Sequence, residues 1–464
     1  MKTILVNIFD TAVAKNILVP QFLKTLTSVG SEARVIVIVP EHKFDEFARD
    51  YAHPFLRFVA RPKKNASTLE AAALFIVRNS IPTHSERYLQ EIGFDGSGRL
   101  PAIRYWSARF LWIAGHLGIF RRLFKKMVTP LFDTRIFDDL LARYSPDLIF
   151  ATTIYAVDDV RLLRAATRRG IPTIGMIKSW DNLTCKDAIL VPPNTLIVHN
   201  DVVKEEAVTL HGYPRDKIVV VGVPQFDWYA DAQFPYDKQE FFSRLRLDPN
   251  KKLITYTAAG LSFFRRERDV IAILDRIIRE GKISMPSQLL VRMHPAYPDE
   301  KEVLEKRFPR VVIDEPGWPI RDTASAWKAD WKFNADDVRH LAATLKYSDV
   351  TLNCGSTMIL EAVCFDTPVI GIAFDGEGTE PNYWQSARSF FEKNHLRNIV
   401  ETGGVRLVRS EKELIKALND YLAHPTKDAE GRARIVAEQI GEVGHAGARL
   451  AKAMLSAASV QNVV

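Results

Sequence analysis

Gly355, Ser356, Thr357 and Glu361 place a flexible turn, two hydroxyls and a carboxylate within one short segment. They follow the apolar run Val350-Thr351-Leu352 and precede Thr367-Pro368-Val369-Ile370-Gly371-Ile372. That order predicts strand, glycine turn, helix, strand. Gly355 would let the backbone approach a ligand closely. Ser356 and Thr357 would occupy the first helical turn, where unbonded N–H groups and the positive end of the helix dipole favour a phosphate. Glu361 lies one turn beyond Thr357 and faces the same way. A phosphate cradle with a carboxylate beside it suits a nucleotide-activated donor. A plain helix cap also explains the tripeptide taken alone.

Other residues are predicted to reach the same edge. Arg292-Met293-His294-Pro295 ends an apolar strand, leaving His294 at the carboxyl end, where open α/β sheets bind ligands. An imidazole there can donate a hydrogen bond to a phosphate oxygen, or simply pack at a strand end. Gly260 follows the strand Leu253–Ala258 and leads into Leu261-Ser262-Phe263-Phe264-Arg265-Arg266, either a ligand loop or a surface approach to an amphipathic helix. Asp375-Gly376-Glu377-Gly378 follows the strand Val369–Ala373. Four loops carrying Gly260, His294, Gly355–Thr357 and Asp375–Gly376 would thus converge.

In the first half, Lys178-Ser179-Trp180-Asp181-Asn182-Leu183-Thr184-Cys185-Lys186 follows the strand Thr173–Met176. Asp181 could take the proton of an acceptor hydroxyl, with Trp180 as a sugar platform, Asn182 beside it and Lys186 near a phosphate. An Asp-Asn turn on an apolar base is the competing reading. Asp10, just past the first strand, is the rival base. His199-Asn200-Asp201 and Asp158-Asp159 are weaker candidates, which charged helix starts explain about as well.

These groups need a scaffold. A chain of 464 residues exceeds one core, so two domains are expected. β-branched runs at Ile4–Phe9, Ala33–Val39, Leu148–Ala151, Thr173–Met176, Thr195–Val198 and Ile218–Gly222 imply a parallel sheet covered on both faces. A second alternation runs through Leu253–Ala258, Gln288–Met293, Arg310–Ile313, Val350–Leu352 and Val369–Ala373. Residues of about 62–145 break the rhythm and read as a helical insert. The expected division is 1–226, 227–430 and a helical tail 431–464 that could cross back, with Gly222-Val223-Pro224-Gln225-Phe226-Asp227 as the hinge entry. The fold class is α/β: two Rossmann-like doubly wound domains facing across a cleft.

On these motifs the chain resembles the GT-B glycosyltransferases. Arg-x-His-Pro, Gly-Ser-Thr-x-x-x-Glu-Ala and the following Pro-Val-Ile look like their donor-binding half. The closest likeness is to bacterial surface-polysaccharide enzymes: sialyl- and Kdo-transferase-like families and the CDP-glycerol glycerophosphotransferases. The resemblance covers about residues 250–380 well and the first half in layout. It implies donor-phosphate contacts from His294, Ser356 and Thr357, with Gly260, Arg292 and Gly355 around them and Glu361 at the ribose or donor sugar. It also implies transfer of a sugar to a glycan or lipid-linked acceptor. No cofactor beyond the nucleotide-linked donor is expected, and no metal, since dipole, hydroxyls and imidazole can offset the leaving charge. A glycerophosphotransferase, a sugar-nucleotide 2-epimerase and a non-enzymatic membrane-surface scaffold are the alternatives.

Composition narrows the setting. No apolar stretch is long enough to span a bilayer, and the N-terminus lacks the pattern of a signal peptide. Cys185, Cys354 and Cys364 have no paired spacing and suit a reducing cytosol. A net charge of +7 is mild for this length and no nucleic-acid motif accompanies it, so nucleic acid is not an expected partner. The charge is concentrated, however. Arg104-Tyr105-Trp106-Ser107-Ala108-Arg109-Phe110-Leu111-Trp112 and Phe120-Arg121-Arg122-Leu123-Phe124-Lys125-Lys126 interleave cations with rings, with no acid between Asp95 and Asp133. Residues 104–126 would either lie on an anionic membrane surface or pack their rings inward and their cations into water. The expected location is cytoplasmic, and the first of these two readings of 104–126 would place the protein peripherally on the inner face of the cell membrane.

Overall fold

The computed structural model describes residues 2–9, 11–29, 33–62, 64–93, 99–186, 188–231, 234–260, 264, 266–294, 301–316, 318–320, 330–332, 335–376 and 382–459. The chain divides into two compact units, Met1–Asp227 with Gly441–Val464, and Trp228–Ile440.

The first unit is built on seven parallel strands: β1 (Lys2–Asn7), β2 (Ala33–Val39), β3 (Leu56–Ala60), β4 (Leu148–Ala151), β5 (Thr173–Met176), β6 (Thr195–Val198) and β7 (Ile218–Val220). Their order is β3-β2-β1-β4-β5-β6-β7. Leu5 sits opposite Ile36 on one side and Ile149 on the other, and all three are fully buried. This is why the central strands are continuous apolar runs rather than alternating ones. The short edge strand β3 mixes half-buried and exposed residues and so lacks the continuous apolar run of the central strands.

Between β3 and β4 the insert is helical: Thr68–Asn79, His84–Ile92, Arg99–Gly115, Gly118–Val128 and Asp138–Tyr144. Ser67 and Glu70 form a reciprocal capping box that starts the first of these helices. Glu70 is buried and also takes a 2.6 Å hydrogen bond from Arg161 of the helix Val157–Arg168, so a desolvated ion pair ties the insert to the sheet-covering layer. The C-terminal helix Ala446–Ser459 packs on the helix Pro20–Val29. Asp227 receives the amides of Gly444, Ala446 and Gly447 at 2.9, 3.1 and 2.6 Å, fastening the start of that helix.

The second unit repeats the principle with β8 (Lys252–Thr257), β9 (Ser287–Arg292), β10 (Val312–Asp314), a small antiparallel pair β11 (Trp318–Ile320) and β12 (Asp330–Lys332), then β13 (Val350–Asn353), β14 (Val369–Ile372) and β15 (Val405–Val408). The main sheet is parallel in the order β10-β9-β8-β13-β14-β15. The chain leaves β8 towards β9 and β10, then returns to β13 on β8's other side. That reversal places a topological switch point between β8 and β13. Two doubly wound α/β sheets are the class the sequence predicts. β15 and the β11–β12 pair were not anticipated.

Candidate functional site

At the switch point of the second unit the loops after β8 and β13 lie side by side. Leu352 is opposite Tyr256, whose hydroxyl is 3.5 Å from the Cys354 sulfur. Gly260 has φ of +89°, which its lack of a Cβ permits. Buried Glu267, at the start of the helix Glu267–Arg279, accepts the amides of Ala259 at 2.5 Å and Gly260 at 2.9 Å, and the Tyr256 hydroxyl at 3.1 Å. The shape of the Gly260 loop is therefore set by one carboxylate from the following helix. Leu261–Phe263 and Arg265 lie outside the described residues.

The Gly355 turn differs from expectation in one respect. Asn353 Oδ1 accepts the amides of Gly355 and Ser356 at 2.9 and 3.2 Å, and Ser356 Oγ accepts that of Met358 at 3.3 Å. The helix begins at Met358, so Ser356 and Thr357 precede it rather than forming its first turn. Three backbone amides expected to face a phosphate are capped from within, because Asn353 makes an Asx turn. What this loop offers a ligand is the hydroxyl of half-buried Ser356 and the exposed side chain of Thr357. Gly355 has φ of +87°, and a Cβ there would stand 3.0 Å from Leu396 Cδ1.

Glu361 accepts a hydrogen bond from the Tyr229 hydroxyl. Tyr229 is buried, its ring 5.0 Å from that of Phe365, and burial followed by the Glu361 charge pushes its phenol well up. Glu361 is thus oriented by a side chain far away in sequence. His294, two residues past β9, is half-buried, and burial lowers its pKa, so the imidazole is neutral near pH 7. Pro295 lies outside the described residues.

Arg292 requires a correction. Its guanidinium is buried and bonded to Asp314, whose other oxygen meets His340 Nε2 at 3.0 Å. Burial works to raise the Asp314 carboxyl, but Arg292 and His340 overcome it and hold it down at about 2. Arg292 therefore belongs to an internal ion cluster rather than to a donor-facing surface. On the far side of the switch point, Asp375 accepts the Ser386 hydroxyl at 2.5 Å and the Ala387 amide at 3.0 Å. A Cβ on Gly376 would come within 2.2 Å of Asp269 Cβ, so the loops after β8 and β14 both rest on one helix start. Glu377 and Gly378 lie outside the described residues.

In the first unit the segment after β5 turns through a π-helical stretch, Asn182–Lys186. Asp181 accepts the Ser179 hydroxyl at 2.7 Å, and its second oxygen pairs with Lys186. Trp180 and Asn182 are 6% and 2% exposed, so neither offers an open face to an acceptor as expected, and Asp181 beside them is largely buried as well, at 9%. The sequence reading missed Glu206, on the helix Asp201–His211: burial first, and then the Asp181 charge, push its carboxyl up to about 8. Asp10 lies outside the described residues.

The weaker candidates have structural duties. Buried Asp159 accepts Asn7 Nδ2 and Thr153 Oγ1, both at 2.6 Å, and the Ala156 amide at 3.1 Å. Burial pushes its carboxyl up to about 7. Asp158 pairs with Arg61 at 2.7 Å and Arg161 at 2.9 Å. His199 is buried and its pKa pushed down to about 4, and Asn200 caps its helix through the Val203 amide at 2.9 Å.

A cavity of about 680 Å³ opens within the first unit. Tyr155, Lys186 and Leu190 form one wall, and Arg78, Gln90 and Arg104 of the insert another. Its size lies in the range of small-molecule sites. Lys186 joins it to Asp181. No group of metal-binding residues occurs among the described residues.

No protein-family model matches the chain. No curated protein matches it at a significant level. Solved structures do. The UDP-GlcNAc 2-epimerase from Neisseria meningitidis bound to UDP-GlcNAc aligns over 100% of both chains with TM-score 0.56 and 12% identity. The UDP-GlcNAc 2-epimerase from Methanocaldococcus jannaschii covers 98% of this chain and 100% of its own, at 0.54 and 12%. A glycosyltransferase from Rickettsia africae covers 100% and 99%, at 0.52 and 11%. At such identities the likeness is one of fold, and the fold shared is the GT-B type with its pair of Rossmann-like units.

Proposed function

We propose that the chain is a nucleotide-sugar-dependent transferase: the second unit takes the donor at its β8–β13 switch point, and the first presents an acceptor hydroxyl to Asp181. The observation that carries transfer over other uses of the fold is the cavity bordered by Lys186, the ion-pair partner of Asp181. An enzyme with a single substrate has no need of a second compartment beside a carboxylate. Donor binding would rest on the hydroxyls of Ser356 and Thr357, the neutral imidazole of His294 and the Tyr229-oriented carboxylate of Glu361. A single sugar, or less readily a glycerol phosphate, would be the group moved.

The 2-epimerase reading is favoured by a different observation, the fold shared with UDP-GlcNAc 2-epimerases over the whole length of the chain. One experiment separates the two. The protein is incubated with UDP-, CDP-, CMP- and GDP-linked sugars and with CDP-glycerol, with and without a glycan or polyprenyl-phosphate acceptor, and followed by NMR. Nucleotide release that needs acceptor supports transfer. Inversion at C2 of the sugar without acceptor replaces it with epimerisation. Titration calorimetry showing no binding of any nucleotide would leave a non-enzymatic scaffold and remove both.

A further inference from the structure

The helix Arg99–Gly115 is apolar on the side that faces solvent. Ile103, Trp106, Phe110 and Ile113 recur at three- and four-residue steps, so they form one stripe, and with Leu117 in the turn that follows each is 58–72% exposed. The opposite side is also filled: Ala108 and Leu111 are buried, and Gly115 sits so close to Ser80 that a Cβ would reach within 1.9 Å of its carbonyl oxygen. The stripe continues on the helix Gly118–Val128 through exposed Ile119, Leu123 and Met127. Of the large apolar side chains exposed among the described residues, most fall in this one insert, and scattered singletons need no explanation while a contiguous stripe does.

The charges beside the stripe have one sign. Residues 99–132 contain seven arginines and lysines and no carboxylate. Arg121 and Lys125 crowd each other, and burial together with Arg121 lowers the Lys125 ammonium to about 8. The alternative of rings packed inward and cations outward therefore holds only in part, since Trp106 and Phe110 point out with the cations.

We infer that this insert docks the protein on an anionic lipid surface, apolar stripe in the acyl boundary and cations among the headgroups. Charge selects this occupant. A second copy would bring two all-cationic patches face to face with nothing to neutralise them, whereas phosphate headgroups supply the missing anions. No helix among the described residues is long and apolar enough to cross a membrane, so the contact is interfacial. The same helix contributes Arg104, Tyr105 and Ala108 to the wall of the 680 Å³ cavity, which docking brings to headgroup level. The inference stands whether or not the protein transfers sugars.

The test is co-sedimentation of the full chain with vesicles of phosphatidylcholine alone and of phosphatidylcholine mixed with phosphatidylglycerol. Recovery with the anionic vesicles is expected to exceed that with neutral ones at least tenfold, and to fall as salt is raised. Trp106→Glu with Phe110→Glu abolishes it, and Arg122→Gln with Lys126→Gln, two exposed cations, reduces it by about fivefold for each charge removed. Because these four side chains are at the surface, circular dichroism and thermal melting should match the parent and separate loss of docking from loss of fold. Equal recovery with both vesicles, or none with either, overturns the inference. So does a salt-stable dimer in sedimentation velocity that Phe110→Glu dissociates, which would assign the stripe to a second copy.

Discussion

Glu267 accepts the amide of Gly260 across 2.9 Å, so a buried carboxylate at a helix start fixes the backbone of a loop seven residues earlier. The same group holds Ala259 and the Tyr256 hydroxyl. Glu267→Gln keeps the shape but replaces one acceptor oxygen by a donor. It should cost about 1–3 kcal/mol, because one buried amide loses its partner. If the Gly260 loop lines the donor site, nucleotide affinity drops at least tenfold. Calorimetry on a variant whose melting has been checked measures both.

Asp181→Asn removes the proposed base and preserves the turn. Turnover should fall by roughly 10²–10⁴ while nucleotide affinity is unchanged. His294→Ala and Ser356→Ala should instead weaken nucleotide binding. A fully active Asp181→Asn variant would pass the role to another carboxylate.

Gly355→Ala tests the turn at the switch point. With φ of +87° the alanine costs about 1–2 kcal/mol before its contact with Leu396 is counted. Melting should fall slightly and nucleotide binding strongly. Unchanged nucleotide affinity would separate this loop from the ligand.

Glu206 sets a pH dependence of known sign. Its carboxyl rises from the ordinary 4.5 to about 8 in the folded chain, so the native state keeps a proton that the unfolded state has lost. That contribution is complete below about pH 4.5 and is lost as pH rises through 8. Asp159, raised to about 7, acts in the same direction. Glu206→Gln should therefore narrow, without abolishing, the fall in melting temperature between pH 5 and pH 9, two values chosen to lie roughly either side of the window.

Arg161 and Glu70 form a buried pair at 2.6 Å. Arg161→Ala leaves the buried Glu70 carboxylate with only the Ser67 and Asp133 amides and no countercharge, and should cost roughly 3–5 kcal/mol. In a unit of this size that is a drop of about 10 °C, read by calorimetry.

Much of the architecture was legible because parallel strands buried on both faces must be continuous apolar runs. Ala33–Val39 and Val369–Ile372, short β-branched runs, read as strands and are strands. β3 escaped because an edge strand needs no full burial, and its residues are half-buried or exposed. The site was legible only at its loop tips. Gly260, His294 and Gly355 announce themselves by type and by position after a strand. Their partners do not: Tyr229 reaches Glu361 from 132 residues away, and Asp314 claims Arg292 from 22. Trp180 shows the opposite error, since an aromatic in a polar loop looks like a platform until its burial is known.

The packing of Ala446–Ser459 on Pro20–Val29 bears on how the chain can be made. Residues 228–440 form a compact unit that closes without the C-terminal helix. The first unit does not: its early helix stays uncovered through that whole interval and is sealed only when the final helix emerges. Nascent chains stalled before residue 441 would hold one finished lobe and one sticky, incomplete one, a natural target for chaperones.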